Sequence, residues 1–152
     1  MARPGFDNEQ QVLEYMRKIA VGRSGFSSFL QLEPVRCWDG EAEILMEVRA
    51  EMTQHHGFAH GAIVGLMADN ACAWAASSTV GDVVTGSYTV NFLAPARGSR
   101  LRSKGSVVKA GRRQVVVRAD VWSEQDDGDP VLVAVAQATI VPTGIATSKD
   151  TR

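Results

Sequence analysis

Within Ala59–Gly81, AHGAIVGLMADNACAWAASSTVG, a single charged residue, Asp69, stands in an otherwise apolar run that opens with His60-Gly61. A run that is apolar all round reads as a buried helix. A carboxylate inside one needs a partner or a chemical task, because burying it alone is costly. At the other end, glycine leaves backbone N–H groups unobstructed where the helix dipole is positive, a place suited to an anion or a developing oxyanion. An amide donor for negative charge and a buried carboxylate are two parts of an acyl-transfer site. The spacing separates them. Asp69 follows His60 by nine residues, which is about 900° of helix and roughly 13.5 Å of rise, so two helical residues there point to opposite faces. Two antiparallel copies of the helix would set Gly61 of one chain beside Asp69 of the other. This predicts a two-fold dimer with sites at its interface.

The elements that must carry these residues follow from periodicity. Val12, Tyr15, Met16 and Ile19 recur at helical spacing over 8–21, with Asp7 or Asn8 available as N-cap. Phe29 to Cys37 reads as a strand in which Pro34 argues for an edge or a bulge. Trp38-Asp39-Gly40 reads as a turn, and Glu41 to Val48 as a strand with Ala42, Ile44, Met46 and Val48 on one face. A polar loop over 50–58 leads into the long helix, which Gly81 closes. Strands follow at Val83–Leu93, Leu101–Lys109, Val115–Ser123 and Val131–Val141, and a polar tail occupies 142–152. Short turns among the last four strands predict an antiparallel meander. One long helix on its face makes the class α+β, with residues 1–152 forming a single domain.

Composition narrows the function. A net charge of -1 gives no global attraction to nucleic acid, and the basic stretch has no interleaved aromatics. Cys37 and Cys72 read as buried thiols, and neither has a second Cys or His at metal-ligand spacing. No metal and no cofactor are expected. The long helix is rich in Ala, Gly and Ser and interrupted by Asp69 and Asn70, so it reads as a core helix and no membrane span. No apolar leader is visible, and the expectation is a cytoplasmic protein.

Taken together, the His60-Gly61 opening, the helix pattern Leu66-Met67-Ala68-Asp69, the strand end Asn91-Phe92-Leu93-Ala94-Pro95-Ala96 and Gly111-Arg112 resemble the hotdog-fold acyl-CoA thioesterases, in particular the phenylacetate-pathway type. The resemblance covers about residues 25–141. It implies a curved antiparallel sheet wrapped around the long helix, a homodimer, and pairing of dimers into tetramers. It places Asp69 at the catalytic carboxylate and Gly61 at the backbone amide that binds the thioester oxygen. It puts Gln54 at a position whose side chain also meets that oxygen, with His60 orienting it. It matches Thr85 to a hydroxyl that positions the attacking water or the carboxylate. The commoner family sequence after the histidine is Gly-Gly; here it is Gly61-Ala62, and alanine still permits helix entry.

The implied reaction is metal-independent hydrolysis of a small or medium acyl-CoA or aryl-CoA, with Asp69 as general base or as nucleophile. Between Asp82 and Asp120 the chain has no acidic residue but carries Arg97, Arg100, Arg102, Lys104, Lys109, Arg112, Arg113 and Arg118. Arg97, Arg112 and Arg113, with His56, Asn91, Pro95 and Gly111, are the candidates for substrate and CoA contact. The plain readings stay beside these: His60 as a helix cap, Gln54 as a loop residue, Thr85 as a strand residue, spaced charges as a solvated face. Phe58, Met67, Trp74 and Phe92 are either pocket lining or core. Two further functions fit the same fold. A non-catalytic acyl-CoA sensor would keep the arginines and lose the carboxylate, so Asp69 argues against it. A hydratase or dehydratase would pair His60 with Asp69, but Gln54 and the spacing fit hydrolysis better.

Overall fold

In a computed structural model of the chain, residues 3–145 are described. The amino-terminal amphipathic segment is helical as its periodicity requires. Asn8 caps α1 (Glu9–Tyr15) by accepting from the Gln11 N–H, and the chain continues as one π-helical segment, Met16–Val21. A short helix, α2 (Gly25–Leu30), follows. It replaces the strand expected from Phe29. Ser24 accepts from the Ser27 N–H to start it, and Gln31 in the left-handed region (φ 56°) ends it, so β1 begins only at Glu33.

Six strands form one antiparallel sheet: β1 (Glu33–Trp38), β2 (Glu41–Glu47), β3 (Val83–Phe92), β4 (Arg100–Ala110), β5 (Val115–Glu124) and β6 (Val131–Pro142). Pro34 sits on an edge strand beside a register shift, as its missing N–H requires. Asp39 and Gly40 both have positive φ (52° and 81°), the two-residue turn that matches strand twist. The expected polar tail begins later than Pro142, which still pairs with Val83 in β6; the part over 146–152 lies outside the described residues.

The order across the sheet is β1-β2-β4-β5-β6-β3, so the expected meander holds only for β4, β5 and β6. β3 pairs with β6, not β4. Connection 93–99 accounts for this. Leu93 donates to Val133 O, Ala96 O accepts from the Ala59 N–H, and Ser99 O accepts from the Val48 N–H. The chain thereby passes the start of the long helix and delivers β4 beside β2. β3 is left as a ten-residue edge, with Val84 and Phe92 each 56% exposed and Tyr88 43% exposed.

The long helix, α3 (Gly61–Val80), touches all six strands. Four of its polar residues bond back to its own backbone: Ser77, Ser78 and Thr79 donate to the carbonyls of Trp74, Ala75 and Ala76, and Asn70 to that of Leu66. Small side chains let the helix sink onto the sheet. The closest approach is at Gly105 of β4, where a Cβ would stand 2.2 Å from the Ala71 carbonyl oxygen. Backbone atoms cannot yield there as a side-chain tip could. Gly105→Ala is therefore expected to destabilise the fold by about 2–3 kcal/mol, read as a lower denaturant midpoint at unchanged slope.

Candidate functional site

The start of α3 is built by a closed loop. Thr53 and Ala59 bridge, the Gln54 N–H donates to Phe58 O, and the Gly57 N–H donates back to Gln54 O. Gly57 takes φ 80°, which a side chain would resist. The His60 N–H then reaches Met52 O, and the Ala59 N–H reaches Ala96 O. Gln54 is thus fixed beside the helix start by backbone alone.

His60 is the N-cap. Its Nδ1 accepts from the Ala62 N–H at 3.0 Å, so the ring proton sits on Nε2, and its carbonyl accepts from Ile63 and Val64. With the His60 N–H on Met52 O, three of the four opening donors of α3 are spent. The fourth, the Gly61 N–H, has no acceptor among the described residues. Gly61 lines a cleft of about 410 Å³ together with Gln54, Phe58, Val64, Phe92, Leu93 and Pro95. Apart from Gln54, the side chains that line it are apolar. At its rim Arg97 lies over the Phe58 ring at 5.1 Å, and His56 stacks on the same ring at 5.9 Å.

Asp69 lies at the other end of the same helical strip. Thr85 Oγ1 donates to Asp69 Oδ1 at 2.7 Å. Gly61 packs under Phe92, and Gly65 lies under the Tyr88 hydroxyl. Gly61, Gly65 and Asp69 therefore all face β3. This corrects the expectation of opposite faces. His60 is extended (φ -63°, ψ 141°), so the helical count starts at Gly61; eight residues give about 80° net and roughly 12 Å of rise. The separation is along the helix axis, not around it. One chain still keeps the two groups apart.

The remaining candidates divide. Gly111, Arg112 and Arg113 line a second cleft of about 640 Å³ at the β4–β5 turn, with Lys109 and Gln114. Asn91 sits between Val90 and Phe92 in the ladder with β6, so alternation turns it to the sheet face away from α3 and the cleft. Much of the basic stretch is neutralised by acids from neighbouring strands. Arg100 and Arg102 share Glu124, Arg102 and Lys104 meet Glu43, and Arg118 meets Asp120. The hydrogen bond from Arg102, then that from Arg100, holds the Glu124 carboxyl below its ordinary value. Of the four apolar candidates, Phe58 and Phe92 line the cleft, while Met67 and Trp74 are core. Val64, Leu93 and Tyr88 carry no sequence signal that sets them apart from core residues.

Among the described residues no group of three or more His, Cys, Asp or Glu is placed to hold a metal ion, and no helix is long and apolar enough to cross a membrane. The cysteines are both fully buried thiols. Burial pushes Cys37 up to about 11; burial, then the nearby Asp69 charge, pushes Cys72 up to about 12.

An α+β sheet wrapped on one helix, with an amide donor at the helix start and a hydroxyl-bound carboxylate further along, is the hotdog architecture of thioester-processing proteins. The thioesterase superfamily model matches residues 56–129. A thioesterase family protein from Silicibacter pomeroyi is 31% identical, with 85% of this chain and 96% of that one covered at a TM-score of 0.79. A variant of the phenylacetic acid degradation protein PaaI from Thermus thermophilus is 30% identical over 78% of this chain and 98% of that one (TM-score 0.69). The PaaI protein of the E. coli phenylacetic acid degradation operon, at 21% identity, shares the fold over 90% of this chain and 97% of that one (TM-score 0.78). No curated protein matches the chain. The chain belongs to the thioesterase superfamily and is a thioester hydrolase of the PaaI-like type.

Because a thiol that resists ionisation is a poor nucleophile, neither cysteine should react with iodoacetamide in the native protein at pH 8, and turnover should survive the treatment. Both should react in guanidinium chloride. Native labelling accompanied by loss of turnover would contradict this burial.

Proposed function

We propose that the protein hydrolyses small or medium acyl-CoA or aryl-CoA thioesters at two equivalent sites in a two-fold dimer. The observation that carries the proposal is the strip Gly61–Gly65–Asp69, with an unspent amide at one end and a hydroxyl-bound carboxylate at the other. A two-fold axis near Gly65 and Tyr88 would bring the amide of one protomer to the carboxylate of its partner. The exposed, ten-residue β3 edge supports such pairing, because an open edge of that length otherwise invites aggregation.

In the proposed reaction the thioester carbonyl oxygen accepts from the Gly61 N–H and from the Gln54 amide. Asp69 takes a proton from water through Oδ2, since Oδ1 is held by Thr85. That hydrogen bond fixes the orientation of the carboxylate and leaves Oδ2 for the water. Water oxygen bonds to the carbonyl carbon and negative charge passes to the carbonyl oxygen, where preorganised donors contribute about 3 kcal/mol each. The carbon–sulfur bond then breaks, and CoA thiolate leaves and is protonated. His60 secures the donor by capping the helix. The apolar cleft with Phe58, Phe92 and Pro95 receives the acyl group, with His56 and Arg97 at its rim. Lys109, Arg112 and Arg113, which have no carboxylate partner among the described residues, suit the CoA phosphates. No metal takes part in this route, and turnover should be indifferent to EDTA. Two free thiols agree with a reducing, cytoplasmic setting.

A thiol-release assay over an acyl-CoA panel tests the reading. Asp69→Asn should lower kcat by about 100-fold or more while sedimentation still reports a dimer. Full turnover in that variant would remove Asp69 from the chemistry. Absence of release from every thioester, with saturable CoA binding, would favour a sensor. Arg112→Ala combined with Arg113→Ala should raise KM for acyl-CoA several-fold at nearly constant kcat, and should weaken the salt dependence of KM. An unchanged KM would take the phosphates elsewhere.

A further inference from the structure

Arg3 lies far from the cleft and is 2% exposed, a burial that arginine accepts only when well paired. Its Nη1 donates to the Ser77 carbonyl at 3.2 Å, in the last turn of α3, and its Nη2 donates to Asp82 Oδ1 at 3.0 Å. The guanidinium lies over the rings of Phe6 and Tyr15, at 5.6 and 5.0 Å. One side chain thus joins the helix that carries Asp69 to the residue that leads into β3, which carries Thr85. Asp82 is also gripped from the opposite side, where its carbonyl accepts from Thr143 N and Oγ1 at 3.0 and 3.2 Å.

This grip matters because Thr85, paired with Ile140, is the last residue of its ladder segment before a break. The ladder between β3 and β6 shifts register between Thr85 and Ser87. Pairing beyond that bulge therefore does not set how far Thr85 reaches toward α3. The short stretch Asp82–Thr85 does; it pairs with β6 over Val83–Thr85 and is tied to α3 at Asp82 through a cation at the helix C-terminus, where the dipole favours one. We propose that Arg3 is a positioning residue for hydrolysis, acting through Asp82 to hold the Thr85 hydroxyl on Asp69; this rests on Asp69 being the base proposed above. A hydroxyl 2.7 Å from its acceptor has under an ångström to lose before the bond lapses, and displacements of that size are costly in a reacting site.

A double-mutant cycle with Arg3→Met and Thr85→Ala, scored on acyl-CoA hydrolysis, tests the proposal. Each single variant should lower kcat about tenfold with KM within about twofold, and the double variant should be no slower than Thr85→Ala alone. Arg3→Lys, which keeps the cation, should recover most of the rate. A multiplied loss near a hundredfold in the double variant would overturn the idea. So would Thr85→Ala without effect on kcat, or an Arg3→Met variant that loses thermal stability and keeps its kcat. If Arg3→Met does not fold, Asp82→Asn takes its place in the cycle with the same expected outcome. A fully active Asp69→Asn enzyme is a separate result and would sink the catalytic reading itself.

Discussion

Helix α3 meets the sheet backbone to backbone at Ala71 and Gly105 of β4, with no room for a side chain between them. This contact fixes how deeply the helix sits in the concave face of the sheet. Depth matters because the helix is the axle of the site, with the donor at its first residue and the carboxylate two turns along. If the helix rode higher by one methyl group, Phe92 would lift from Gly61 and Thr85 from Asp69. The Ala, Gly and Ser composition that made the helix look merely apolar is what permits the contact. Its internal hydroxyls bond back to the preceding turn, and Ser78 Oγ also accepts from the Gly40 N–H, and so locks the β1–β2 turn to the helix end.

The start of the helix illustrates how a donor is kept free. A helix opens with four N–H groups that lack partners within it, and a protein usually satisfies or exposes them all. Here His60 takes two, Ala62 with its ring nitrogen and Ile63 with its carbonyl, and its own N–H goes to Met52 O. The one left over belongs to a glycine that borders an apolar cleft. Specificity for a polar oxygen at that point arises from subtraction: apart from Gln54, the side chains that line the cleft are apolar.

Much of this was legible in the chain. The long helix, its glycine cap, the turn at Asp39-Gly40 and the edge character of Pro34 each rest on local backbone chemistry, and local chemistry survives into the fold. Asp69 was legible because a charge is conspicuous in an apolar run. What the chain concealed depends on distant partners. The pairing of β3 with β6 is decided by a connection that must pass the helix start, which no periodicity records. The partners of Arg100 and Arg102 come from β2 and β5, so a stretch without acidic residues is well neutralised in space. The opposite facing that the nine-residue spacing of His60 and Asp69 implies does not arise, because His60 is extended and the helix starts at Gly61. Helix α2 escaped because Phe29 and Leu30 suit a strand as well as a helix, and the Ser24 cap outweighs them. Arg3 carries no signal at all in a polar amino-terminal segment.

The position of α3 in the chain has a consequence for biosynthesis. Only β1 and β2 precede it; the four strands that cover most of its surface are translated after it. As the polypeptide leaves the ribosome, a mostly apolar helix of twenty residues is made before its blanket exists. Until β6 emerges, that segment has to be shielded by the exit tunnel, by a chaperone or by transient collapse on the first hairpin. Folding of this protein is therefore tied to completion of its carboxy-terminal half, and a message truncated after the helix would yield a product fit only for degradation.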